Sequence, residues 1–84
     1  MIKTKVPTLF YKDHLARDCG QTGRILKAGK LLTEVELDWV AYQDLITDAE
    51  YYTSFKGTED YAENKSVVDS ATATLARLNN KEAN

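Results

Sequence analysis

The chain has 84 residues, 43% hydrophobic and 29% charged with a single proline, a length and composition that exclude a disordered chain and a second core. A lone cysteine excludes an internal disulfide and fits a reducing, cytoplasmic setting. The net charge of −2 hides an asymmetry: residues 1–30 carry seven of the eleven Lys and Arg against two acids, whereas residues 31–84 carry four bases and eleven acids.

In chain order, residues 2–6 ("IKTKV") set Ile2, Thr4 and Val6 against Lys3 and Lys5, the period-2 alternation of a short strand whose lysines guard an edge. Pro7 suits a first helical turn. A helix is expected over 8–19, with Leu9, Tyr11, Leu15, Ala16 and Cys19 on its apolar face. Gly20 is its left-handed stop, and "GQTG" is turn material.

"GRILKAGKLLTEVEL" predicts a β-hairpin about a type II′ turn at Gly29-Lys30. Leu31, Thr33, Val35 and Leu37 alternate with polar or outward residues, and a loop shifted back by one would set Lys27 opposite Lys30. Asp38 then caps a helix to about Thr53. Its wheel gathers Trp39, Tyr42, Leu45, Ile46, Ala49 and Tyr52 on one face, leaving Val40 and Tyr51 as misfits on the polar side. "SFKG" breaks the chain, and Thr58 is expected to cap a last helix with Val67, Val68, Ala71, Thr74, Leu75 and Leu78 at three- and four-residue spacing.

The sequence therefore predicts one α+β domain over 1–84, its ends at 1–6 and 80–84 open to fraying. It is read as a helix, an antiparallel hairpin joined or not by residues 2–6, then two helices on one sheet face. The expected core is Leu9, Leu15, Leu26, Leu31, Val35, Trp39, Tyr42, Leu45, Ile46, Ala49, Val68, Ala71, Leu75 and Leu78.

The densest chemistry is "HLARDCGQTGR", residues 14–24, with the only His, the only Cys and two of the four glycines. On one helix His14 and Cys19 point about 140° apart, so His14 cannot activate the thiol, and Cys19 reads as a small core residue. One His and one Cys are too few for zinc. The pairs His14–Asp18 and Asp13–Arg17 are four residues apart and read as decoration of a solvated helix side. "GQTGR" follows a helix and precedes a strand, the reverse of a phosphate cradle. Asp44, Asp48, Glu50, Glu59, Asp60 and Glu63 read as solvated helix faces rather than as a mimic of a nucleic-acid backbone. No catalytic, metal or cofactor residue is assigned, and an enzyme is not expected.

Two surfaces remain. Arg17, Arg24, Lys27 and Lys30 form a candidate anion or nucleic-acid patch in the basic first third. Ile25, Leu32, Val40 and Tyr51 fall on the outer sides of their elements and form a candidate protein interface. No apolar run reaches signal-peptide or membrane-spanning length, so no membrane partner is expected.

"VPTLFYKDHLARDC", "TEVELD", "LITDAEYYTS" and "DSATATLARL" together resemble a group of small uncharacterised proteins of actinobacterial phages and prophages. The pattern there is an "HxxR" helix, a "TVEL" strand, a "DAxYY" helix and an Ala-rich terminal helix, and the likeness spans residues 6–79. Where that group often has Thr before the acidic helix start, this chain has Leu37-Asp38. The resemblance implies a phage-encoded accessory protein in a host cytoplasm and no particular activity. The leading expectation is a protein-binding regulator or inhibitor of a host or phage protein, with a homodimer as its simplest self-association and nucleic-acid binding as the alternative.

Overall fold

A computed structural model describes residues 1–20, 29 and 31–83. Strand β1 (Ile2–Pro7) leads directly into helix α1 (Thr8–Asp18); strand β2 (Leu32–Leu37), helix α2 (Trp39–Thr53) and helix α3 (Asp60–Ala83) follow. The α+β class and the three helices are as the sequence predicts. Among the described residues β2 pairs antiparallel with β1, the N-terminal strand that the sequence allows to join the sheet, from Ile2 opposite Leu37 to Pro7 opposite Leu32. The first arm of the expected hairpin, residues 24–28, and Lys30 lie outside the described residues.

The alternation read in residues 2–6 sets the sheet's two faces. Val6, Val35 and Leu37 are buried, while Lys3 faces Glu36 and Lys5 faces Glu34 across the strands on the other side. Pro7 thus ends a strand and sits at the N-cap of α1 instead of inside its first turn. The ladder continues into the helix start, where the Thr8 N–H donates to the Leu31 carbonyl at 2.9 Å. Leu31 itself lies beyond the strand and is 79% exposed, not core. Gly29 is not in the positive-φ region, so it does not occupy the first central position of a type II′ turn.

Helix α1 is rotated from the expected face. Phe10, Asp13 and His14 are buried and Arg17 is half-buried, a stripe at i, i+3, i+4 and i+7, whereas Leu9, Leu15 and Cys19 are exposed. The anchor is Phe10, which is fully buried and meets the Tyr52 ring edge-on at 6.2 Å. With that ring inside, the polar residues one turn on are carried in with it, and Leu9 and Leu15 turn outward. Gly20, at φ +83°, ends the helix as expected.

Asp38 caps α2, its Oδ1 accepting the Ala41 N–H at 2.8 Å. Tyr42, Leu45, Ala49 and Tyr52 are buried as the wheel predicts, with Ile46 packed at the margin. Trp39, the first helical residue, is instead exposed and stacks outside the buried Tyr42 ring at 5.5 Å. Helix α3 starts at Asp60. The Thr58 hydroxyl does not cap it but donates to the Phe55 carbonyl at 2.6 Å. The helix kinks at Asn64, whose side chain donates to the Asp60 carbonyl, and continues through the expected tail to Ala83. Its stripe of Val67, Val68, Ala71, Thr74 and Leu78 is buried against α2 and β1, so the protein covers this face itself.

Candidate binding groove between the first two helices

Two strands and α3 place α1 beside α2, and the contact between these helices is mostly polar. The His14 Nδ1–H donates to Asp48 Oδ2 at 3.0 Å. The Arg17 guanidinium bridges Asp13 on its own helix through Nη1 and Asp48 on α2 through Nη2. Arg17 also lies 5.0 Å from the Tyr52 ring centroid and 6.0 Å from that of Phe10. The sequence pairs Asp13 with Arg17 correctly, but on a buried side rather than a solvated one. His14 takes Asp48, 34 residues away, as its partner.

Burial by itself raises the Asp48 pKa, but the hydrogen bonds from His14 and Arg17 and their charge outweigh it and hold the carboxyl below its usual range. For Tyr52, burial raises the phenol's pKa and the adjacent Arg17 only partly offsets that. A His whose Nδ1–H is committed to a carboxylate keeps its other ring nitrogen as the one free to change partner. Both Nη groups of Arg17 are likewise committed inside the fold. Chemically, the cluster is a polar clasp that fixes α1 on α2.

Above the clasp runs a groove in two adjoining clefts. One, about 420 Å³, is lined by His14, Arg17, Asp44, Thr47, Asp48 and Tyr51. The other, about 250 Å³, has Tyr11, Leu15, Leu37, Asp38 and Val40 in its walls. His14 and Asp44 line both. On α2, positions 40, 44, 47 and 51 recur at helical spacing, so the two misfits of the wheel stand at opposite ends of one stripe with Asp44 between them. Val40 is 68% exposed and Tyr51 59%.

The structure therefore brings three of the predicted residues, Arg17, Val40 and Tyr51, around one groove. Leu32 lies elsewhere, in a separate cleft with Pro7, Ser70 and Arg77 that shares no described lining residue with the groove. Ile25, Arg24, Lys27 and Lys30 lie outside the described residues. Asp44 and Asp48 are additions of the structure to the groove, and Trp39 stands exposed on the same helix outside both clefts. The recurrence of Phe10, Asp13, His14 and Arg17 at helical spacing was the signal in the sequence for an inward polar face.

Among the described residues no cluster of His, Cys, Asp and Glu is arranged to hold a metal ion, and no helix is long and apolar enough to cross a membrane. No family model, curated protein or solved structure matches the chain.

Proposed function

We propose that this chain is a non-enzymatic binding module that acts through a protein partner, as the resemblance to small phage and prophage proteins implies for an accessory protein of a host cytoplasm. The observation that carries the reading is the outer side of α2. Trp39, Val40 and Tyr51 are 63%, 68% and 59% exposed on a single helix of a small domain. Aromatic and aliphatic side chains standing in water along one element offer the desolvation energy on which protein interfaces depend. The polar cluster beneath supports the same reading, since its His, Arg and Asp groups bond to one another and hold the helices together. The partner is a host or phage protein, with a second copy meeting the same face about a two-fold axis as the other candidate.

The test compares the tagged chain with a Val40→Asp/Tyr51→Asp variant in capture from host lysate, with and without nuclease, beside light scattering of each. Nuclease-resistant capture by the parent, lost in a variant that melts like the parent, supports the reading. Capture that nuclease abolishes overturns it in favour of nucleic-acid binding through the basic first third. A variant that captures as well as the parent overturns the choice of surface.

A further inference from the structure

We propose that the groove between α1 and α2 receives an arginine side chain presented by a segment of the partner protein, with Asp44 as the anionic contact. This rests on the protein-binding reading and specifies the partner's chemistry. Three features support it.

The first is charge. Asp38, Asp44 and Asp48 line the groove, and its described walls contain no lysine. The one arginine among the described lining residues, Arg17, is already shared between Asp13 and Asp48. Helix α2 itself carries three acids and no base. The second is that Asp44 is exposed at the junction of both clefts and makes no ion pair or hydrogen bond among the described residues. Asp48, by contrast, is ion-paired with His14 and Arg17 through Oδ2, and Asp38 is engaged in capping. The third is the setting of that carboxylate. Tyr11 and Tyr51 supply aromatic surface, and Leu15 and Val40 supply aliphatic surface, on either side of it. A planar guanidinium on an apolar stem matches an acid framed in this way: it hydrogen-bonds the carboxylate, lies against an aromatic ring, and buries its methylenes. A polyanion is repelled by the same residues.

The probe is a short labelled peptide of alternating leucine and arginine, followed by fluorescence anisotropy against the full chain at low salt. Its counterpart carries glutamate in place of arginine. The arginine peptide is expected to bind and the glutamate peptide not to. Asp44→Asn should weaken binding about tenfold. Glu50→Gln removes the same charge from α2 but lies outside both clefts, and should leave binding within about twofold. Equal losses in the two variants would show diffuse attraction to an acidic surface and overturn the proposal. So would equal binding of the two peptides, or no binding of the arginine peptide. In each of those cases lysate capture that depends on Val40 and Tyr51 would still stand, which separates failure of this inference from failure of the reading beneath it.

Discussion

At the scale of single residues, Asp48 decides how α1 is attached. It is the one group on α2 that both His14 and Arg17 reach, and each donates to the same oxygen, Oδ2. Asp48→Asn replaces an anion that accepts from two donors with a neutral amide and leaves Asp13 as the carboxylate paired with Arg17. A loss of about 2 kcal/mol is expected, the usual worth of hydrogen bonds to a charged group, read by urea denaturation. Sensitivity to pH follows from the same contacts. The folded-state pKa of Asp48 lies below its unfolded value, so its contribution is fully present above about pH 4 and is lost as pH falls through the folded value. His14, Arg17 and Asp13 surround the carboxylate, and of these His14 and Arg17 donate to it. The parent should therefore lose stability on acidification below about pH 4 more steeply than Asp48→Asn. Parallel curves for the two proteins would remove Asp48 from the acid response.

At the scale of elements, the two strands illustrate how local pattern becomes tertiary contact. Lys3 and Lys5 alternate with the core residues of β1, Glu34 and Glu36 with those of β2, and the register sets base opposite acid in both pairs. Lys5→Glu puts like charges in register and should cost about 0.5–1 kcal/mol, with Lys5→Glu/Glu34→Lys recovering most of it. Thermal melts of the two singles and the double measure the coupling, and additive losses would show that the strands do not sense each other's charge. What was legible beforehand follows from the same logic. Parity along β1 and β2, the Asp38 cap and the buried face of α2 depend on neighbours two to four residues away, and all were readable. Whether β1 joins β2 was left open, and the inward face of α1 was misassigned although Phe10, Asp13, His14 and Arg17 recur at helical spacing. Pairing β1 with β2 requires closing the chain around α1, and no local pattern reports that. The α1 wheel favours Leu9 and Leu15 until Phe10 is buried against Tyr52, and Asp48, more than thirty residues on from His14 and Arg17, then partners the polar groups carried inward. The site was half legible for the same reason: Val40 and Tyr51 stood out as misfits, whereas Asp44 looked like any other solvated acid.

At the scale of the whole molecule, the basic first third and the acidic remainder complement each other within the fold. The Lys3–Glu36 and Lys5–Glu34 registers and the Arg17–Asp48 contact all join a base from residues 1–30 to an acid from residues 31–84. The charge asymmetry of the sequence is therefore spent partly on folding, which leaves less of it to attract a polyanion. Salt should discriminate between the two uses. Raising NaCl from about 10 mM to about 0.5 M shortens the screening length from about 30 Å to under 10 Å and weakens the exposed strand pairs. The half-buried Arg17 pair is screened less. The melting temperature should fall by a few degrees, given that each kcal/mol moves a domain of this size by about 4–8 °C. The Lys5→Glu variant provides the internal control, because adding salt relieves its like-charge pair instead of weakening an attraction. Its melting temperature should fall less than the parent's or rise. If both proteins respond to salt identically, the two halves of the charge asymmetry are not coupled through the sheet, and the basic first third regains its standing as a surface for a charged ligand.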